Sequence, residues 1–382
     1  MKLAKPYVGI LSHHPAPYRD STYSTLVKRG VIDVLVLNIF QQDRGHSYWN
    51  LHQPTYPNIN LNASQRILKY CLLHHMTFQY LRRNRFDVVV IPGYRNAPCV
   101  SSLIYCWLTR TPFIFSCDSI AGSQLRYGLA YLRNSLSQRI LDRASAFWVP
   151  GEASRQHLCS QGFKNEHIFE GCYTLDYIFI RDEVERNKKH RSRTRRDLSI
   201  NENGFVFLMV ANVLSNRRHD LLLESFSQVV VACPNSYLLL VGKGADQKTI
   251  MHLSNGRQIR NVRTVGPAAF AELAPLFTAS DAYVHSGSEP YSTAVQYAAI
   301  AGLPIVTTPN VGAAKDYVID VETGYIAPSE DVSGFAERML LLARDPKMAQ
   351  SYGSKARELA SKFTAEWAAD QLEEAVLNSV QS

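Results

Sequence analysis

Residues 284–306 read V-H-S-G-S-E-P-Y-S-T-A-V-Q-Y-A-A-I-A-G-L-P-I-V and place an acidic residue, Glu289, just before the N-terminus of a predicted helix. Ser292 and Thr293 are good N-caps, residues 294–301 are strong helix formers, and a glycine follows as a stop signal. The free backbone N–H groups of the first turn and the helix dipole together bind an anion without a metal or a lysine. The stretch therefore predicts a phosphate site, with the acid placed to handle the group attached to that phosphate.

Apolar runs alternate with helical patterns along the chain, which is typical of βαβ units and parallel sheets. Buried strands are expected in the first half at residues 7–11, 34–38, 88–91, 113–115 and 146–149. A second set is expected after a basic run, at residues 205–211, 237–241, 262–265, 282–285 and 305–307. Helices are expected at residues 67–83 and around the stripe Leu125, Leu129, Leu132, Leu136 and Ile140. The pattern predicts two doubly wound sheets.

The opening stretch resembles the nucleotide-sugar motif of retaining glycosyltransferases with the two-domain GT-B architecture, specifically glycosyltransferase family 4 (group 1). The family's usual form is E-P-F-G, four residues, then E-A-x-A-x-G-x-P-V; this chain reads E-P-Y-S, T-A-V-Q, then Y-A-A-I-A-G-L-P-I-V. Tyr297 stands where the family's second glutamate holds the nucleotide ribose. A tyrosine hydroxyl can donate to or accept from a ribose hydroxyl, but it is not a charged bidentate acceptor. The resemblance therefore implies weaker or altered donor selection.

Residues 207–224, F-L-M-V-A-N-V-L-S-N-R-R-H-D-L-L-L-E, resemble the family's strand, glycine–arginine loop and R-K-G turn. Arg217 falls where the family usually has a lysine that contacts the donor diphosphate. Asn212 replaces the arginine usually found after the strand, and Arg218 is the neighbouring substitute for it. A cation suits this position because charge builds on the leaving diphosphate, which arginine binds bidentately. The alternative for both arginines is an exposed turn.

Two later motifs, L-L-L-V-G-K-G at 238–244 and N-V-R-T-V-G-P at 261–267, follow in the family's order. Glycines in the first let the chain turn tightly. The resemblance implies that the base is held by backbone groups of Val265, Gly266 and Pro267. Because backbone recognition leaves no side-chain signature, the base stays open.

In the first half, Y-V-G-I-L-S-H-H-P-A-P-Y-R at 7–19 resembles the P-x-P-Y-R opening of one branch of the family. Ligands of doubly wound sheets bind beyond the carboxyl ends of the strands, where this loop lies. His13 and His14 contact the acceptor or the diphosphate there, or are loop histidines with no special role. Asp118 ends another strand, where it orients an acceptor or sugar hydroxyl, or caps a helix.

These observations imply an α/β GT-B fold with two doubly wound Rossmann-like domains that face each other across a cleft. The 382 residues are too many for one ordinary core and suit two domains. The expected divisions are an N-terminal acceptor-binding domain at 1–175, a basic linker at 176–200, a C-terminal nucleotide-sugar-binding domain at 201–365, and a helix at 366–382 that packs back on the N-terminal domain.

Composition, with 19% charged and 46% hydrophobic residues, is that of an ordinary globular chain. No run of about 18 apolar residues occurs and the first residues lack a long apolar core, so the expected location is cytoplasmic, or at the inner face of the membrane. The net charge of +8 is densest at 181–196, which is a solvated face or a membrane or partner contact. Without aromatic interleaving or a recognition-helix pattern, nucleic acid is not an expected partner.

Other candidates for contact with anionic headgroups, or for ordinary solvation, are Arg82, Arg83, Arg85, Arg126 and Arg133. The seven cysteines are dispersed without C-x-x-C spacing, and the histidine pair His74 and His75 has no third ligand at metal spacing. We therefore expect no metal and no cofactor besides the donor substrate.

The resemblance implies transfer of a sugar from a nucleotide sugar to an acceptor hydroxyl of a glycan or lipid-linked glycan, with retention of configuration. In this chain Glu289 and Arg217 would be catalytic. The substrate-binding residues implied are Asn212, Arg218, Gly266, Pro290, Tyr291, Ser292, Thr293, Tyr297, His13 and Asp118. The alternatives are a catalytically inactive GT-B binding or partner subunit and a sugar-nucleotide epimerase.

Overall fold

A computed structural model describes residues 5–40, 54–61, 74–94, 96–118, 138–244 and 261–381 of the chain. The chain divides into two compact units. The first comprises Met1–Thr174 and Ala365–Ser382, and the second comprises Leu175–Thr364. Part of the predicted helix at 67–83, most of the predicted stripe, and Arg126 and Arg133 lie outside the described residues.

The first unit contains a parallel sheet in the order β3-β2-β1-β4-β5-β6-β7. Its strands are β1 (Tyr7–Ser12), β2 (Asp33–Asn38), β3 (Asn58–Asn60), β4 (Val88–Ile91), β5 (Phe113–Ser116), β6 (Ala146–Val149) and β7 (Ile168–Glu170). The central strands are continuous apolar runs because both faces are covered by other elements. Every residue of β4 and β6 is buried.

The described helices of the first unit are α1 (Pro17–Arg29), α2 (His75–Asn84), α3 (Ala97–Thr109), α4 (Glu152–Ser160) and, from the other end of the chain, α13 (Ala365–Gln381). Helix α13 packs on α1 and β7. Arg29 Nη1 lies 2.5 Å from Asp370 Oδ1 and 3.2 Å from Glu373 Oε2 of that helix. A Cβ on Gly171 would lie 2.9 Å from Ala368 Cβ, so a residue without a side chain is needed where the helix crosses.

The second unit contains a parallel sheet in the order β10-β9-β8-β11-β12-β13. Its strands are β8 (Phe205–Val210), β9 (Ser236–Val241), β10 (Val262–Val265), β11 (Ala282–His285), β12 (Ile305–Thr307) and β13 (Gly324–Ile326). The described helices are α5 (Tyr177–Asn187), α6 (Arg191–Asp197), α7 (His219–Ala232), α8 (Leu273–Ala279), α9 (Thr293–Ala301), α10 (Ala314–Tyr317), α11 (Val332–Arg344) and α12 (Pro346–Ala360). The order of connection reverses between the neighbours β8 and β11, which is where open α/β sheets bind ligands.

All ten strands predicted from the sequence occur, within one residue at each end. Three strands of three residues each, β3, β7 and β13, were not predicted. So short a run carries no recognisable periodicity of its own, and β12, which is equally short, was located by the motif at residues 284–306. None of the described helices is both long and apolar enough to cross a membrane.

The predicted basic linker at 176–200 is wrong, because this segment belongs to the second unit. It forms α5, a 3₁₀ turn at Lys188–His190 and α6, and its helices pack against α8 and α9. On α5, Ile180 and Val184 are four residues apart and fully buried, so the charged residues occupy only the remaining faces.

One arginine of this segment, Arg195 on α6, is 2% exposed, and each of its three side-chain nitrogens donates a hydrogen bond. Its Nη2 lies 2.7 Å from Asp281 Oδ2, and its other nitrogens donate to the carbonyls of Glu202, Gly204 and Ala279. Asp281 Oδ2 also accepts the backbone N–H of Val206. Burial lowers the pKa of Arg195 from its ordinary value. The arginine thus joins α6 to the ends of β8 and α8.

Replacing Arg195 by alanine leaves buried carbonyls and a carboxylate without a donor, and we expect the second unit to lose about 3 kcal/mol of stability. Urea unfolding followed by far-UV circular dichroism measures the loss. Arg193→Ala is the control, since that side chain is 76% exposed, and it should change stability by less than about 0.5 kcal/mol. Tryptophan fluorescence reports on the first unit alone, because all four tryptophans lie there. Equal losses in the two variants would contradict the structural role.

Candidate functional site

The candidate site lies at the carboxyl ends of β8 and β11 in the second unit. The loop after β8 leads through a 3₁₀ turn, Ser215–Arg217, into α7. The loop after β11, residues 286–292, leads into α9. The two loops are hydrogen-bonded to each other, since Ser288 N donates to Asn216 O at 2.8 Å and Asn216 Nδ2 donates to Ser288 O at 3.2 Å. The reversal of connections therefore brings two distant sequence motifs together.

Arg217 and Glu289, predicted as the catalytic pair, form an ion pair. Arg217 Nη2 lies 2.6 Å from Glu289 Oε1, and Nη1 donates to the carbonyl of Ser288 at 2.6 Å. The side chains are 13% and 23% exposed, so the pair is only partly screened by water. The Glu289 backbone is fixed as well, because its N–H donates to Asn310 O and its carbonyl accepts from Gly312 N. A cation and a carboxylate thus stand side by side, and the backbone of the carboxylate residue is held on both sides.

Two histidines that the sequence analysis did not select lie beside this pair. His285 ends β11, is fully buried, and has Nε2 3.2 Å from Glu289 Oε2. His219, the first residue of α7, is 5% exposed, and burial, followed by the nearby His285 and Arg217, lowers its pKa to about 4. His219 is therefore neutral near pH 7. The sequence carried one signal for His285: it is a polar residue at the end of a predicted buried strand, four positions before Glu289.

Glycines allow the loops to approach this closely. A Cβ on Gly287 would lie under 3.0 Å from Asn216 O and from backbone carbons of Arg217. Gly242 and Gly244, from the predicted V-G-K-G motif, meet the carbonyls of Ala211 and Val213 in the same way. Their lack of a side chain lets the loop after β8 rest on the neighbouring strand ends.

Helix α9 begins at Thr293, four positions after Glu289. Ser292 occupies the N-cap position with extended backbone and is 2% exposed, but its side chain makes no capping hydrogen bond. Thr293 is the first helical residue and Pro290 precedes Tyr291, whose hydroxyl donates to Tyr317 at 3.5 Å. These predicted binding residues are contiguous with the ion pair.

Tyr297, predicted at the ribose position, is not brought to the site surface. Its side chain is 2% exposed, stacks on Phe277 with ring centroids 4.3 Å apart, and meets Phe270 edge-on at 5.7 Å. Burial raises the pKa of its hydroxyl. The aromatic side chain is placed with the apolar residues of α8, where its ring stabilises the core of the unit.

Arg218 is directed away from Arg217. Its backbone is left-handed, with φ 51°, and its guanidinium pairs with Asp220 and Glu330. Arg218 and Glu330 border a pocket of about 130 Å³ that also includes Ser286 and Asn310. The predicted contact Asn212 lies on the loop after β8, and its carbonyl accepts from Leu214 N.

The predicted base-binding segment follows the edge strand β10. Gly266 is exposed, and apart from its two chain neighbours no described residue has an atom within 4 Å of the position a Cβ would take. The carbonyl of Val265 already accepts the N–H of Gly242 at 3.1 Å, so this strand end is tied to the V-G-K-G turn.

In the first unit, His13 and Asp118 follow β1 and β5 at the carboxyl edge of the sheet. Asn96 Nδ2 lies 3.4 Å from His13 Nδ1, between the ends of β1 and β4, where the connections of this sheet reverse. Asp118 is exposed and is separated from His13 by β4. Among the residues that the structure describes, no group of three or more histidine, cysteine, aspartate or glutamate side chains is arranged to hold a metal.

Residues 190–359, all in the second unit, match the family model described as Glycosyl transferases group 1. N-acetyl-alpha-D-glucosaminyl L-malate synthase of Bacillus anthracis is 26% identical over 183 residues, 48% of this chain and 47% of that protein. A GDP-mannose-dependent monoacylated alpha-(1-6)-phosphatidylinositol monomannoside mannosyltransferase of Corynebacterium glutamicum is 24% identical over 200 residues, 50% of this chain and 51% of that protein. The chain thus spans about half the length of the curated relatives it matches.

Among solved structures, the chain is similar to Anabaena Alr3699/HepE in complex with UDP and glucose. The TM-score is 0.75 at 17% identity, over 96% of this chain and 98% of that one. This likeness and the two parallel sheets confirm the predicted α/β GT-B fold with two Rossmann-like domains.

Gly287→Ala tests the close backbone contact between Gly287 and the turn that carries Arg217. The added methyl must displace the turn that carries Arg217, and we expect a loss of about 1–3 kcal/mol in unfolding free energy, measured by urea denaturation. Gly266→Ala is the control for stability, since its Cβ meets open space, and it should change stability by less than about 0.5 kcal/mol. A Gly287→Ala variant as stable as the Gly266→Ala variant would refute the contact.

Proposed function

We propose that this protein is a glycosyltransferase of family 4 that transfers a sugar from a nucleoside-diphosphate sugar to an acceptor hydroxyl with retention of configuration. The observation that carries the proposal is the Arg217–Glu289 pair, at the switch point of the second sheet, with Glu289 four positions before the start of α9. The cation and the helix N-terminus suit the negatively charged diphosphate of a nucleotide sugar, and the carboxylate suits the hydroxyls of its sugar. The match of residues 190–359 to group 1 glycosyl transferases supports it.

In the proposed reaction the bond between the anomeric carbon and the phosphate oxygen breaks, and the diphosphate leaves with the electron pair. Arg217 stabilises the growing charge on the leaving group, assisted by the backbone N–H groups of α9. The acceptor hydroxyl attacks from the same face and passes its proton to the departing phosphate oxygen, which retains the configuration. Glu289 accepts hydrogen bonds from sugar hydroxyls and so orients the ring.

The proposed reaction needs no resident metal, because an arginine and a helix N-terminus supply the positive charge that a diphosphate requires. Arg217 is suited to this role since burial to 13% exposure strengthens its electrostatic interactions. The donor base remains open: the Anabaena structure contains UDP, whereas the Corynebacterium relative is GDP-mannose-dependent.

The donor test is calorimetric titration of the purified protein with UDP, GDP, ADP, CMP and their sugars, followed by a transfer assay. We expect one nucleotide to bind, and Arg217→Ala and Glu289→Gln each to lower turnover by about 100-fold, since each removes one contact with the reacting group. Arg218→Ala is the matched control, because that guanidinium is occupied by Asp220 and Glu330, and it should have a smaller effect.

The outcomes separate the alternatives. Nucleotide binding without turnover would favour an inactive binding or partner subunit. Release of nucleoside diphosphate only when an acceptor is present would exclude an epimerase, whereas sugar-nucleotide interconversion without acceptor would overturn the transferase. Absence of binding to every nucleotide would reject the proposal.

We further propose that the first unit binds the acceptor, a glycan or lipid-linked glycan, and touches the inner face of the cytoplasmic membrane. The supporting feature is a patch at the C-terminal ends of α2 and α3. These helices run parallel, since His74 N bonds to Ser101 Oγ and Phe78 packs on Tyr105. That register brings Arg82 to the level of Thr109.

The patch combines apolar and basic side chains. Trp107 and Leu108 are 61% and 59% exposed, and Arg143 lies 5.8 Å from the centre of the Trp107 ring. The other exposed basic members are Arg82, Arg83, Arg85 and Arg110. Interfacial tryptophan beside clustered arginine is complementary to anionic lipid headgroups.

Sedimentation with phosphatidylcholine vesicles, with and without phosphatidylglycerol, tests the patch. Each arginine near an anionic surface contributes on the order of 1 kcal/mol, so Arg82→Ala with Arg83→Ala should lower partitioning more than about tenfold. Trp107→Ser should lower it too, while Val231→Ser, at a residue 81% exposed on the second unit, should not. Binding that is unchanged in the arginine variant, or equal on neutral vesicles, would overturn the proposal.

A further inference from the structure

The carboxylate of Glu289 has two different partners, one for each oxygen. Arg217 Nη2 holds Oε1 at 2.6 Å, and His285 Nε2 lies 3.2 Å from Oε2. The histidine is fully buried at the end of β11, whereas Arg217 stands on a partly exposed 3₁₀ turn. Oε2 is therefore held by a side chain in the core of the unit, and Oε1 by a side chain near its surface.

In the proposed function, Arg217 binds the donor diphosphate as well as Glu289. Both terminal nitrogens of its guanidinium are used in this structure, one on Glu289 and one on the carbonyl of Ser288. A diphosphate carries more negative charge than a carboxylate and competes for the same bidentate donor. When Arg217 turns to the leaving group, Glu289 loses one of its two side-chain partners.

We propose, resting on the proposed function, that His285 is a positioning residue that keeps the Glu289 carboxylate in place while Arg217 binds the donor diphosphate. His285 holds Oε2, so Oε1 is released to accept a hydrogen bond from a sugar hydroxyl. Arg217 thus moves to the phosphate, and His285 keeps the Glu289 carboxylate at a fixed position.

The burial of His285 is consistent with this role. A carboxylate only accepts, so the hydrogen bond requires the proton on Nε2. The other nitrogen, Nδ1, is buried and has no hydrogen-bond partner among the described residues. Among the described residues, Glu289 is then the one side chain seen to hydrogen-bond the ring, and an apolar residue would fill a fully buried strand end at lower desolvation cost.

The packing around His285 makes it a rigid support. Its strand is buried throughout, its carbonyl accepts from Thr307 Oγ1 at 3.1 Å, and β11 is paired with strands on both sides. A donor fixed in this way holds its acceptor at low entropic cost, which a side chain on a surface turn does not.

The test compares His285→Leu, which keeps the volume without a donor, with His285→Gln, whose amide places an N–H near the position of Nε2. We expect His285→Leu to lower kcat for transfer about tenfold, with nucleoside diphosphate affinity changed less than twofold. His285→Gln should recover most of the rate. His190→Leu, at an exposed histidine of the same unit, is the control and should leave both values unchanged.

A double-mutant cycle with Glu289→Gln supplies the decisive reading. If His285 acts through the carboxylate, adding His285→Leu to Glu289→Gln should lower kcat much less than His285→Leu does alone. Additive losses, an unchanged kcat in His285→Leu, or an equal loss of nucleoside diphosphate affinity would each overturn the proposal. Should Glu289→Gln and Arg217→Ala leave transfer intact, the proposed function fails instead, so the two failures are distinguishable.

Discussion

Contact of backbone against backbone at Gly287 sets the position of the charged groups in the candidate site. The loop after β11 runs under the 3₁₀ turn after β8 with no room for a side chain, and two more glycines after β9 meet Ala211 and Val213, which precede that turn. This approach brings Arg217 within 2.6 Å of Glu289, although 72 positions separate them in the chain. Strands β8 and β11 hold the two loops. The ion pair forms because the loops approach each other closely, and Gly287 permits that approach.

Three arginines of the second unit illustrate how location decides what a cation does. Arg195 is enclosed by carbonyls and an aspartate and joins elements together. Arg217 and Arg218 are adjacent in sequence, but the left-handed backbone at Arg218 directs its side chain toward Asp220 and Glu330. Only Arg217 is placed beside Glu289. Identical residue types therefore differ in role because of backbone conformation and local acceptors.

The sequence predicted the regular parts of the molecule well, since long apolar strands and helix caps leave strong local signals. It also selected Arg217 and Glu289, and the structure brings them together. It missed β3, β7 and β13, which have three residues each and no adjoining motif to locate them, and it misjudged residues 176–200, where apolar positions four residues apart are hidden among charges. The place of Tyr297 depends on packing between distant elements, which no local pattern encodes, whereas His285 carried a local signal as a polar residue at the end of a buried strand.

Helix α13 belongs to the first unit, while the residues between Thr174 and Ala365 belong to the second. The chain therefore passes between the units twice, and only the second unit is continuous in sequence. During synthesis the strands of the first unit emerge early, but the helix that covers α1 and β7 emerges after the whole second unit. Domains usually complete folding in the order in which they leave the ribosome. Here the second unit has all of its residues before helix α13 of the first unit has been made.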